Sequence, residues 1–566
     1  CRELTRLPDG IGDLTALATL DLSDCSALDV LPETVGGLCA LTALNLHECC
    51  SLTCLPDSLG SLAALTALKL SSCDTLTSLP LSIGKLRALT QLTLGGCRAL
   101  VSLPESIGDL AALTALDLPQ CRALAALPES IGGLAALMAL DLSGCRALTR
   151  LPEITSLPET IGEVTVLTAL SVQSCGQLSA LPDSISGLTR LTALSLHECQ
   201  ELRHLKDGIG DLTALTTLDL SCCFALDTIP ETIGGLCALT TLDLQKCYSL
   251  TCLPDSLGSL AALAALKLRS CELRRLPDSI GNLSTLTELD LSLCSQLEAL
   301  PDTIGQLAAL TELGIAACSS LPRLPASVAA LTQLQSLGMS GLSADRLLPS
   351  FRCLAMLTSL DVQRIDTGKF PEKCVREMAA LRTLDLRHWQ AAALPEAVCD
   401  LRRLTHLDLG NSLQLAALPE SFGRLHTLTA LNMSGCPALT SLPGDIGRLR
   451  ALMRLTLSEC RALVSLPESI DGMRALTALD MRACRALVAL PESIGGLAAM
   501  RALDLRGCRA LTRLPQRIVE LTALQRVDLR DECGVKGVPA TFVHAPGTGH
   551  WERIYAAYAT VARKRS

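Results

Sequence analysis

Cysteine is the residue type with the most chemistry to offer here, 28 among 566 residues. Thiols in such number can build a disulfide framework in an oxidising compartment, or bind zinc when they come as C-x-x-C pairs. Their spacing points elsewhere. Cys25, Cys49, Cys73, Cys97, Cys121 and Cys145 recur every 24 residues, and nineteen cysteines in all, through Cys175, Cys199, Cys460, Cys484 and Cys508, keep this one place. Thiols carried one per repeat on neighbouring strands stand about 4.8 Å apart with parallel Cβ vectors, too far at Cβ for a relaxed disulfide. The expected role is packing, by a small buried hydrophobe whose weak S–H donor satisfies the backbone in a turn. Cys49-Cys50-x-x-x-Cys54 beside His47-Glu48 comes nearest to a metal cluster but lacks paired spacing, so no metal and no cofactor is expected. So many unpaired thiols favour a reducing compartment, and the expected location is cytoplasmic.

Charge offers the second chemistry. Asp recurs in twelve repeats at one outward strand position, from Asp21 to Asp528. Stacked carboxylates repel unless cations intervene. Towards the C-terminus they do: Asp385, Asp480, Asp504 and Asp528 are each followed two residues later by Arg387, Arg482, Arg506 and Arg530. Two readings stand. Either the columns neutralise one another, or they form an arginine-rich groove for an acidic protein surface, aided by Arg454, Arg501 and Arg526. His388 and Trp389 lie where the repeat departs from its pattern, and they too have two readings: a contact site, or a core filled by Trp389.

These residues are positioned by a 24-residue unit, L-x-x-L-x-L-x-x-C-x-x-L-x-x-L-P-[ED]-[ST]-I-G-x-L-x-x, repeated about 22 times over residues 1–538. In Leu17-Ala-Thr-Leu20-Asp-Leu22, leucines alternate with Thr19, Asp21 and Ser23, which predicts a short strand with leucine inward. In Leu31-Pro32-Glu33-Thr34-Val35-Gly36-Gly37-Leu38, proline at the first helical position, an acid beside it and glycine after one turn predict a short helix or 3-10 turn, with Val35 and Leu38 packed inward. Stacked units give an α/β solenoid, its parallel sheet on a concave face and its turns on the convex side. Residues 1–41 match 199–239 closely, an offset of eight repeats plus a six-residue insertion near Leu151–Ser156, so the array grew by block copying.

Two segments break the period. Around residues 334–412 one repeat has 22 residues, Leu342, Ile365, Trp389 and Ser412 replace the recurrent cysteine, and Phe351 and Phe370 add aromatic bulk. Residues 539–566 form a C-terminal segment in which Trp551, Ile554, Tyr555, Tyr558 and Val561 fall at helical spacing, predicting a capping helix.

Hydrophobic residues are 49% of the chain, but no apolar run approaches the roughly 20 residues that span a bilayer, so no membrane insertion is expected. A net charge of −9, spread along the chain, argues against nucleic acid as a partner. No phosphate loop, H-E-x-x-H helix, G-x-S-x-G elbow or kinase signature occurs, so the chain is not expected to be an enzyme. Cys1 falls inside a repeat, and a stack opened in mid-repeat exposes apolar surface, so an upstream domain of the same chain is expected to cover it.

The repeat resembles the leucine-rich repeat family from residue 1 to about 538. Its L-P-x-[ST]-I-G-x-L half is similar to repeats of plant-type intracellular immune receptors, which carry an ATP-binding switch module before the repeats, and of plant intracellular Ras-group repeat proteins. The resemblance implies a solenoid that binds a protein on its concave face, as the recognition arm of an intracellular signalling or defence-type receptor. Two alternatives are a free-standing scaffold or adaptor, and the repeat part of a larger kinase, GTPase or ubiquitin ligase.

Overall fold

The computed structural model describes residues 1–148, 157–342, 356–364, 375–376, 378–530, 533, 535 and 541–543. Two compact units divide the chain, Cys1–Leu310 and Thr311–Ser566.

In the first unit, β1 (Thr19–Asp21), β2 (Ala43–Asn45) and their successors to β12 (Glu288–Asp290) are parallel three-residue strands, one per repeat. The repeat period sets the register: Thr19, Leu20 and Asp21 face Ala43, Leu44 and Asn45. The second unit continues the pattern from β13 (Glu312–Gly314) to β22 (Arg526–Asp528), and β23 (Thr541–Val543) then pairs antiparallel with β22. An antiparallel partner satisfies the backbone groups along the outer edge of β22. The sequence pattern did not anticipate this strand. The capping helix expected over 551–561, the insertion at 151–156, and Phe351, Ile365 and Phe370 lie outside the described residues.

Opposite the strands run 3-10 turns such as Glu33–Gly37 and Asp57–Ser61. Pro32 sits one place earlier than expected, as an extended residue (φ −69°, ψ 151°) before the turn rather than its first member. Its carbonyl accepts the first turn bond, from the Val35 N–H at 3.0 Å. Val35 and Leu38 are buried as the pattern predicts. Close stacking explains the glycine that follows: a Cβ on Gly36 would stand 2.6 Å from the carbonyl oxygen of Ser58 in the next turn. The acid of the L-P-[ED] step also works between repeats. Glu33 accepts the Ser58 N–H at 3.0 Å and Glu231 the Ser256 N–H at 3.0 Å, each supplying an acceptor for an amide that the short turn leaves unbonded.

The core is a stack of leucine layers, with Leu44, Leu46, Leu52, Val35 and Leu38 at 0–1% exposure and the same positions filled alike in later repeats. Each buried leucine contributes about 1.5–3 kcal/mol. Two kinds of polar side chain tie successive layers together, threonine and cysteine. Thr66 donates its hydroxyl to the Thr42 carbonyl, Thr90 to Thr66 and Thr114 to Thr90, all at 3.0 Å. The recurrent cysteine donates its S–H to a carbonyl one repeat back: Cys49 to Leu22 at 3.3 Å, Cys121 to Leu94 at 3.2 Å, Cys508 to Met481 at 3.1 Å. Burial holds these thiols protonated, pushing Cys121 up to about 12 and Cys49 to about 11. The recurrent cysteines from Cys25 to Cys508 are all buried, as the packing role requires, whereas Cys1 is exposed and Cys533 intermediate.

Candidate binding face

The outward Asp column has a structural task that hydropathy does not reveal. Asp21 Oδ1 accepts the Ser23 N–H at 2.9 Å, Asp219 the Ser221 N–H at 3.0 Å and Asp290 the Ser292 N–H at 2.9 Å. Asn45 and Asn432 do the same for His47 at 3.1 Å and Ser434 at 3.0 Å. In these repeats the Asx turn ends the strand and bends the chain towards the core. Three residues after the column position, just before the recurrent cysteine, the backbone is left-handed in repeat after repeat, at Asp24, Glu48, Ser72, Glu198, Lys246 and Leu293 with φ between 59° and 65°.

Where repulsion is not relieved, it shows. Burial first, and then the Asp141 carboxylate, raise Asp117; burial first, with Asp219 adding to it, raises Asp243.

In the second unit the cations predicted to answer the column do so. Arg387 clasps Asp385, with Nε at 2.9 Å and Nη2 at 2.8 Å from Oδ2. Arg482 holds Asp480 through Nη2 at 2.7 Å and reaches Asp504 at 3.8 Å; Arg506 holds Asp504 at 2.8 Å and reaches Asp528 at 3.7 Å. Arg530 and Arg526 close the series on Asp528 at 2.7 and 3.1 Å. Asp528 is only 1% exposed, and its hydrogen bonds to Arg530 hold its carboxyl down at about 2. These arginines are engaged by their own repeats, as the self-neutralising reading requires.

His388 and Trp389 part company. His388 occupies the left-handed position (φ 61°) and is half-buried. Trp389 takes the place of the recurrent cysteine and is 2% exposed, its indole N–H donating to the Ala393 carbonyl at 3.0 Å and its backbone N–H to Ser412 Oγ at 3.0 Å. The contact reading of Trp389 is therefore corrected: the ladder column turns inward, and the indole fills the core where a thiol is too small.

Arg454 opens β19 (Arg454–Thr456), Arg526 opens β22, and Arg501 precedes β21 (Ala502–Asp504); all three are exposed. Arg454 borders a depression of about 280 Å³ on the strand face, together with Asp385, His406, Asp408, Asn432 and Thr456. Among the described residues its guanidinium meets no carboxylate. The depression thus joins Asp385 and Arg454, which the sequence reading named, with His406 and Asn432, which it missed. The signal for His406 was available: histidine stands at a strand position that mostly holds alanine or threonine. Among the described residues no group of three or more His, Cys, Asp or Glu side chains is placed to hold a metal ion. The Cys49-Cys50-Cys54 stretch is split between a buried, an intermediate and an exposed thiol.

A family model described as a leucine-rich repeat region matches residues 1–96, 236–378 and 342–456, more than half of the sequence. The chain belongs to the leucine-rich repeat family. No curated protein matches it in sequence. Among solved structures, the leucine-rich repeat chain aligns with that of the TLR13–ssRNA13 complex at 19% identity and TM-score 0.55, covering 90% of this chain and 86% of that one. It also aligns with the plant peptide hormone receptor RGFR1 in complex with RGF2 (20%, TM-score 0.49, 96% and 95%) and with the Leptospira interrogans LRR protein LIC12759 (23%, TM-score 0.39, 93% and 99%). Leucine-rich repeat solenoids are scaffolds suited to protein–protein interaction.

Proposed function

We propose that the second unit of this chain recognises a protein partner on its strand face, around the depression bordered by Asp385, His406 and Arg454, as the recognition arm of an intracellular signalling or defence-type receptor. One observation carries this reading. Thr, Cys, Asp and Glu are bound within the chain's own repeats or to the next, whereas the first outward strand column varies along the unit, reading Thr383, His406, Ala430, Arg454, Ala478, Ala502 and Arg526. A surface whose side chains vary along its length matches one partner better than many. Arg454, which meets no carboxylate among the described residues, supplies the cation for an acidic group on that partner. The L-P-x-[ST]-I-G repeats support the receptor assignment by resemblance, and the many thiols support a reducing, cytoplasmic setting.

The test is a photo-crosslinker placed at Ala430 on the strand face or at Arg448 on the opposite turns, in cytosolic extract. A protein captured from Ala430, not from Arg448, and lost with Arg454→Glu is the expected result. Capture from Arg448 alone would overturn the face. Single-stranded RNA bound more tightly than any protein would overturn the class of partner.

A further inference from the structure

The first unit carries a second charged feature, independent of the strand face. Arg98, Arg122 and Arg146 each follow the recurrent cysteine in a C-R-A-L step, in three successive repeats. All three are exposed at the turn leaving the strand. Like charges stacked at one repeat spacing repel, and in the second unit each arginine of the Asp–Arg series has a carboxylate. Here compensation falls away along the row. Arg98 has Asp74 at 3.6 Å, Arg122 has only the neutral Gln120 Oε1 at 3.4 Å, and Arg146 meets no acceptor among the described residues.

Two depressions open at the uncompensated end. One, of about 270 Å³, is lined by Arg122, Arg146, Ala147 and Gln177. The other, of about 280 Å³, runs on from Arg146 past Ser174, Gln177 and Gln200 to Glu198, whose Oε2 accepts the Ser174 hydroxyl at 2.7 Å. Among the described residues, the wall of the first presents two guanidinium groups and an amide and no carboxylate. Each is sized for one or two side chains rather than for an organic cofactor.

We propose that this edge docks an acidic, extended segment of a protein partner, seating a glutamate or aspartate carboxylate between Arg122 and Arg146 while a neighbouring peptide group meets the Gln200 amide. Guanidinium forks bind planar carboxylates through paired N–H donors, and an exposed pair of this kind binds in a salt-dependent way.

The experiment measures fluorescence anisotropy of a labelled oligoglutamate peptide titrated with the whole chain. Binding should weaken by roughly tenfold or more in Arg122→Gln/Arg146→Gln and fall as salt rises. Lys85→Gln/Arg87→Gln, which removes the same charge from exposed turn residues of the same unit, should leave it unchanged. All variants should melt with wild type, since none of these side chains packs in the core. Equal affinity in the two double variants overturns the proposal, as does equal displacement of the peptide by a single-stranded oligonucleotide of the same charge.

Discussion

Arg506 joins two repeats: its Nη2 lies 2.8 Å from Asp504 in its own repeat, and its Nε lies 3.7 Å from Asp528 in the next. Two columns that looked like a binding groove are thereby coupled into one staircase. Its last step is the most consequential, because Asp528 is buried and depends on Arg530 and Arg526 for its charge.

Arg530→Ala should therefore destabilise the second unit by about 2 kcal/mol, since the buried carboxylate loses its closest partner and keeps only Arg526 at 3.1 Å and the more distant Arg506 at 3.7 Å. Arg482→Ala, with a more exposed pair, should lower stability by under about 1 kcal/mol. Urea unfolding of the two variants checks the ranking; equal effects would mean the burial of Asp528 is irrelevant.

Acid should expose the same group. The folded state holds Asp528 down at about 2, below its unfolded value of about 3.9, so its contribution is complete above pH ~4 and is lost as pH falls towards 2. Asp117 and Asp243 work the other way: burial raises them, so their ionisation opposes folding at neutral pH and their protonation relieves it. Melting temperature against pH for wild type and Asp528→Asn should differ in slope between pH about 4 and 2 and run parallel above it.

Leucine is costly in a left-handed backbone, and Leu293 holds φ 65° while its side chain is 44% exposed. Leu293→Gly should stabilise the first unit by about 1 kcal/mol, because relief of the Cβ clash outweighs the added chain entropy. Loss of stability on thermal melting would contradict the assignment of that conformation.

Much of the architecture was readable because each signal repeats. Leucine alternation located the strands, and the cysteine interval fixed their register, since a hydropathy period survives any single drifted residue. The Asp column was legible in place but not in purpose. Hydrogen bonds from side chain to backbone leave no hydropathy trace, and the telling sign, Asn45 and Asn432 in the same column as the aspartates, reads as noise beside the charges. His388 and Trp389 are adjacent in sequence, but the left-handed residue turns the chain so that the indole points inward. His406 went unseen because one polar residue in an exposed strand column looks like ordinary surface until Asp385, Asn432 and Arg454 are placed around it.

Trp389→Ala should remove about 3–5 kcal/mol from the second unit by opening a cavity and unpairing the Ala393 carbonyl, whereas Trp389→Phe should lose less. Partner capture by folded Trp389→Phe at Ala430 should match wild type. Selective loss of capture without loss of stability would restore a contact role to this residue.

Thiol reactivity should divide the cysteines by position. Cys39, Cys54, Cys237 and Cys252 are exposed and should react with Ellman's reagent in the native protein at pH about 8. Cys121 and Cys223, buried and pushed up to about 12, should react only after denaturation. Rapid native modification of Cys121 or Cys223 would contradict the packing role.

The threonine hydroxyl bonds each run back one repeat, from Thr66 to Thr42 and from Thr90 to Thr66. The cysteine bonds keep the same short range. Under tension such links bear load in series. A pull on either unit from its ends should peel off one repeat at a time, each release paying out a 24-residue length of chain at similar force, so that the array behaves as an extensible tether with even steps rather than a body that gives way at once.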